Sequence, residues 1–172
     1  MMYDGCSIGL NGMDKPKIIL LCGPPCSGKS TWIQNHNVEN LSVLSTDDFI
    51  EEKAKQLNTT YDVIWGDSIQ PAVIELAKQL RDFTQRNESF IVDQTNVNFK
   101  SRRKKLHLCE NYYKIAVYFE IPLETLLVRN TQRPGKVIPQ SVIETMIKSY
   151  RRPTIEEGFD LIIDGTENLT GT

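Results

Sequence analysis

The run Gly23-Pro-Pro-Cys-Ser-Gly-Lys-Ser30 constrains this chain more than any other stretch, because of what flanks it. Directly before it lies Ile18-Ile-Leu-Leu-Cys22, a continuous apolar run of the kind shown by strands buried on both faces. Directly after it, Lys29 to Gln34 reads as the opening of a helix. A strand, a glycine-bounded loop and a helix in that order aim successive backbone N–H groups and the helix N-terminus at an anion. The spelling G-x-x-x-x-G-K-[ST] adds an ammonium and a hydroxyl to that cradle. Gly23, Pro24, Pro25, Cys26, Ser27, Gly28, Lys29, Ser30 and Thr31 are therefore expected to hold the phosphates of ATP or another nucleoside triphosphate. In that arrangement Lys29 reaches the terminal phosphates and Ser30 ligates Mg²⁺.

Beyond this loop the chain alternates short apolar runs with helical patterns. Lys17–Cys22, Leu41–Ser45, Phe90–Asp93, Ile115–Glu120 and Phe159–Ile163 read as strands. Lys29–Gln34, Asp48–Leu57, Asp67–Arg86, Phe99–Asn111, Leu123–Asn130 and Gln140–Tyr150 read as helices. The alternation predicts an α/β fold, a five-stranded parallel sheet flanked by helices. A length of 172 residues fits one domain, placed at 15–166, with a flexible lead-in at 1–14 and a short tail at 167–172. No apolar run approaches the roughly 20 residues needed to cross a bilayer, so no membrane is expected and the cytoplasm is the expected compartment. Cys6, Cys22, Cys26 and Cys109 form no C-x-x-C pair, and His36 and His107 stand apart, so neither a zinc site nor a disulfide framework is expected. Trp32 and Trp65 are expected to pack rather than stack on a ligand.

Twenty basic residues against 22 acidic ones give a net charge of −2, so any nucleic-acid contact needs a local basic patch. In open parallel sheets ligands gather beyond the carboxyl ends of the strands, and two such ends carry aspartate. After the second strand come Thr46, Asp47 and Asp48; one carboxylate here can accept the proton of an attacking hydroxyl, or Thr46 or Asp47 can cap the next helix. The third strand ends in Asp93, followed by Gln94-Thr-Asn96, where a carboxylate either assists Mg²⁺ or the acceptor, or forms a turn. Lys100-Ser-Arg-Arg-Lys-Lys105 then puts cations at a helix N-terminus, against the macrodipole. It is either a phosphate-binding patch or a solvated face. Arg129-Asn-Thr-Gln-Arg133-Pro-Gly-Lys136 reads as a mobile lid bearing arginines, or as a surface loop.

Taken in order, these pieces resemble the kinase domain of the polynucleotide 5′-hydroxyl kinases, both the bacteriophage type and that of animal polynucleotide kinase phosphatases. The resemblance runs from about Lys17 to Ile163 and rests on Gly23–Ser30, Ser45-Thr-Asp-Asp-Phe49, Val92-Asp-Gln-Thr-Asn96 with Arg102-Arg103, Val128-Arg-Asn130 with Arg133, and Tyr150-Arg-Arg-Pro-Thr-Ile-Glu-Glu-Gly158. It implies a P-loop fold with a lid and transfer of the ATP γ-phosphate to a 5′-hydroxyl of DNA or RNA. Asp47 would be the general base, with Lys29 and Arg133 on the transferring phosphoryl group and Arg129 beside the donor. Ser30 and Asp93 would serve Mg²⁺, and Asp48, Asp93, Thr95, Asn96, Arg102 and Arg103 would face the acceptor. Phage relatives carry an arginine three residues after the base; here that position is Ile50. The departure favours a rival acceptor such as a hydroxymethylated pyrimidine in DNA, a nucleoside or a small metabolite. A non-catalytic nucleotide-binding module is the third reading, and it would have no use for Asp47 and Arg133 together.

Overall fold

The computed structural model describes residues 15–36, 38 and 40–167; the expected lead-in at 1–14 and all but the first residue of the expected tail lie outside them. With no polar side chain from Ile18 to Cys22, strand β1 (Lys17–Cys22) has to sit where both of its faces are covered. It is the middle strand of a five-stranded sheet ordered β2-β3-β1-β4-β5, in which every pairing is parallel. The others are β2 (Ser42–Ser45), β3 (Phe90–Asp93), β4 (Tyr113–Tyr118) and β5 (Leu161–Asp164). Among the described residues six α-helices and a short 3-10 helix (Ile155–Glu157) connect them: α1 (Lys29–Asn35), α2 (Thr46–Gln56), α3 (Tyr61–Gln85), α4 (Phe99–Leu108), α5 (Leu123–Thr131) and α6 (Gln140–Ser149).

The pleat splits β1 between two cores. Ile18, Leu20 and Cys22 pack with Leu76 and Leu80 of α3, Leu106 of α4 and Phe159, while Ile19 and Leu21 pack with Trp32 of α1. Trp32 is buried, as expected, and stacks on His36. Burial drives the Cys22 and Cys109 thiols up to about 12, which keeps them protonated and unreactive. A third cluster lies beyond the carboxyl ends of the strands, where Ile50, Tyr61, Ala72, Leu126, Ile138 and Ile143 join α2, α3, α5 and α6. This cluster forms the floor under the site. Among the described residues no helix is long and apolar enough to cross a membrane.

β1 and β3 match the sequence expectation residue for residue, and most other ends shift by one to three positions. The exception is α3, which begins at Tyr61 rather than Asp67. Gly66 and Pro71 read locally as breakers, yet both are exposed, and Tyr61, Ile64, Ile69 and Ala72 carry the apolar period straight through them. Tertiary burial outweighs the local penalty.

The cation run on α4 is also resolved by packing. Arg102 is 1% exposed, with Nε and Nη2 donating to Glu157 Oε1 at 2.8 Å and Oε2 at 3.0 Å. Its Nη1 donates to the carbonyls of Asn96 at 2.9 Å and Arg151 at 3.0 Å. The expectation that Arg102 binds substrate is therefore corrected: the fork is fully used in tying α4 to the C-terminal segment. Asn98 and Ser101 form a capping box that satisfies the α4 N-terminus without an anion. Lys105 is half-buried and pushed down to about 8, which leaves only Lys100, Arg103 and Lys104 of the run exposed.

Breaking a buried pair leaves one charge uncompensated, so Arg102→Leu and Glu157→Leu should each lower the unfolding free energy by about 3–5 kcal/mol in urea titrations. Arg103→Ala, on the solvated side of the same helix, should change it by less than about 0.5 kcal/mol. Because Lys105 falls to about 8 from 10.5 on folding, the unfolded chain binds more protons between those pH values, and stability should rise through that window. Lys105→Met should flatten this rise, as read from melting temperature against pH.

Candidate active site

Where β1 ends, the backbone must turn without stranding its polar groups. Gly23 N–H donates to the Thr95 carbonyl at 2.8 Å, Asn96 Nδ2 donates to the Leu21 carbonyl at 2.8 Å, and Phe119 N–H donates to the Cys22 carbonyl at 2.9 Å. The loop is thus clamped between the segments that follow β3 and β4. A side chain on Gly23 would meet Ser27 Oγ at 2.7 Å and Phe119 Cβ at 3.0 Å, so the first position tolerates only glycine. Gly28 takes φ 101°, the left-handed turn that starts α1. Lys29 Nζ donates to the carbonyls of Gly23 at 2.8 Å and Pro24 at 3.0 Å, folded over its own loop.

The loop forms one wall of a cleft of about 530 Å³. Thr46 and Asp47 of α2, Tyr61, Trp65 and Ile69 of α3, Asp93 to Thr95 after β3, and Arg129, Arg133, Lys136 and Ile138 of the lid form the others. Arg129 Nη1 donates to the Cys26 carbonyl at 3.0 Å and Arg133 Nη1 to Cys26 Sγ at 3.3 Å, so both lid arginines converge on the phosphate loop. The base of the lid is fixed by Asn130, whose side chain donates to the Ile138 carbonyl at 2.8 Å and accepts from Ile138 N–H at 3.1 Å. Its tip is tied to the start of α3 by Asp62 N–H donating to the Gly135 carbonyl at 3.0 Å.

Ser45 caps α2, accepting from Asp48 N–H at 3.4 Å, which corrects the expectation that Thr46 or Asp47 does so. Asp47 is left to accept a hydrogen bond from the Tyr61 hydroxyl at 2.7 Å. Burial raises the Tyr61 pKa, and the neighbouring Asp47 charge raises it further, so the phenol stays a donor. Asp93 and Lys29 face one another half-buried: burial pushes the carboxyl up and the ammonium down, and their mutual attraction opposes both shifts.

Of the other residues expected at the site, Thr95 lines the cleft, whereas Ser30 and Thr31 line it from the first turn of α1. Asn96 does not line it; it is buried and its Nδ2 donates to the end of β1. Asp48 is exposed and lies in a separate groove with Glu52 and Glu75, and Arg103 is exposed on α4 away from the cleft. Asp48 and Asn96 each follow a cleft residue directly in sequence but point off the chain in another direction, whereas Arg103 is on a helix that contributes nothing to the cleft lining. Tyr61 and Trp65 were missed as site residues, although 61, 65 and 69 at a spacing of four mark one helix face.

A phosphate loop after the central strand, an aspartate beyond the second and arginines in a lid define a P-loop kinase. The sequence profile of the AAA domain family matches residues 18–153, and the chain belongs to that family. A bifunctional polynucleotide phosphatase/kinase of Schizosaccharomyces pombe is 24% identical over 156 residues, 83% of this chain but 32% of that protein. The chain thus spans about a third of that relative. A kinase fold from Chloroflexus aurantiacus superposes with a TM-score of 0.66 at 19% identity, covering 92% of both chains. A chain of the Pnkp1/Rnl/Hen1 RNA repair complex superposes with a TM-score of 0.63 at 24% identity, covering 81% of this chain and 45% of that one.

If Tyr61 holds one oxygen of Asp47 and leaves the other free, Tyr61→Phe should reduce phosphoryl transfer about tenfold in turnover number. The ATP dissociation constant, followed by calorimetry, should stay within about twofold.

Proposed function

We propose that this protein is an ATP-dependent kinase that transfers the γ-phosphoryl group to a 5′-hydroxyl at the end of a nucleic acid strand. The observation that carries the reading is the position of Asp47, a carboxylate held by a phenol in the same cleft as the phosphate loop and Arg133. The polynucleotide phosphatase/kinase relative and the RNA repair complex support nucleic acid as the acceptor.

In this reading the acceptor oxygen attacks the γ-phosphorus, the bond to the β–γ bridging oxygen breaks, and ADP leaves. Asp47 takes the proton of the attacking hydroxyl. Lys29 exchanges its two loop carbonyls for phosphate oxygens, and Arg133 moves from Cys26 Sγ to the transferring group. Arg129 holds the donor side of the loop. The Ser30 hydroxyl and the Asp93 carboxylate are hard oxygen donors that suit Mg²⁺. Among the described residues there is no group of three or more His, Cys, Asp or Glu able to hold a metal alone, so phosphate oxygens would complete the shell. When bound, that cation supplies charge neutralisation at the β- and γ-phosphates.

A second reading, transfer to a nucleoside or small metabolite, is favoured by Ile50, which is fully buried where phage relatives place an arginine. ATP labelled on its terminal phosphate, incubated with a 5′-hydroxyl oligonucleotide, should place label on the 5′ end. Label on another alcohol alone would favour the second reading, and none on any acceptor would leave a binding module. Asp47→Ala should lower transfer by about 10²–10⁴-fold with ATP affinity nearly unchanged.

A further inference from the structure

The cleft is divided by charge. Lys29, Arg129 and Arg133 all bond to the phosphate loop, at Gly23, Pro24 and Cys26. The fourth lining cation, Lys136, is paired with Glu51 and lies 5.2 Å from the Tyr61 ring centroid. The lining also has an apolar part: Tyr61, Trp65 and Ile69 stand one helical turn apart on α3, joined by Ile138 and Met146. Neither of two further positions supplies a cation to the cleft. Ile50 is fully buried in the cluster beneath the cleft, and Arg102 is committed to Glu157.

We infer that the acceptor is recognised by a flat ring resting on the Tyr61–Trp65–Ile69 face of α3, and not by the phosphate that follows its hydroxyl-bearing sugar. This rests on the function proposed above and names the part of the acceptor that is read: the terminal nucleoside. Trp65 is half-buried, lining the cleft and packing against the cluster below. An aromatic platform takes any base, because every base has a π face, and a contact between uncharged groups is not subject to the screening that weakens charge pairs. Asp47 adjoins this surface through the Tyr61 hydroxyl, 2.7 Å away, so a nucleoside resting there has its sugar within reach of the carboxylate.

The test compares thymidine, thymidine 3′-monophosphate and a 5′-hydroxyl oligothymidylate as acceptors, each at low and high salt, with labelled ATP. The acceptor KM should agree within about threefold across the three and should change little with salt. Trp65→Leu, which keeps an apolar side chain, should raise the acceptor KM about tenfold while leaving the ATP KM unchanged. Trp65→Phe should restore most of that loss. A KM at least tenfold lower whenever the 3′-phosphate is present, with steep salt dependence, would overturn the inference. So would a Trp65→Leu protein with an unaltered acceptor KM. Label on thymidine without label on the oligonucleotide would instead refute the strand-end function and leave the ring surface standing.

Discussion

The exit of a fully buried strand is the constraint on which the rest of this structure depends. β1 has covered faces and two hydrogen-bonded neighbours, so the chain leaving it has to turn sharply and still satisfy its peptide groups. Thr95, Asn96 and Phe119 do this from the two adjacent segments, accepting from Gly23, donating to Leu21 and donating to Cys22. The same bonds fix the ends of the loop, and rigidity is what lets a cradle of peptide dipoles favour an anion without reorganising. Fold and chemistry therefore have one origin: the segment that follows β3 both closes the turn and presents Asp93 and Thr95 to the cleft.

Charge in this protein is allotted by burial more than by count. Five cations lie in the six residues from Lys100, yet Arg102 is locked to Glu157 and Lys105 is partly neutralised by desolvation. The run that reads as a basic patch is in good part a structural strap between α4 and the segment after α6. The lid shows the opposite allotment: Arg129 and Arg133 are few, but both are aimed at the phosphate loop. Asn130, by closing a ring of two hydrogen bonds with Ile138, converts a Pro/Gly loop into a hinged arm of fixed reach. Position outweighs number wherever the dielectric is low.

The sheet, its order of elements and the donor half of the cleft were readable in the chain because each depends on neighbours in sequence. An apolar run, a glycine-bounded turn and a helix follow one another directly from Ile18 to Gln34. The acceptor half was not readable in that way. Tyr61 meets Asp47 from a different helix, and that helix begins six residues before the Asp67 start that the sequence pattern suggests. Asp48, Asn96, Arg102 and Arg103 were expected at the site because they fall within the motifs that carry the family resemblance. Only tertiary placement separates them from the residues that line the cleft.

Local sequence determined where phosphates can be held, since a strand exit and a helix start create that geometry within about ten residues. Tertiary structure decided which carboxylate stands free to take a proton, which arginine is structural and what surface an acceptor meets. Those outcomes depend on contacts between residues far apart in the chain, such as Arg102 with Glu157 and Tyr61 with Asp47, and such pairs leave no periodic or local mark for a sequence to show.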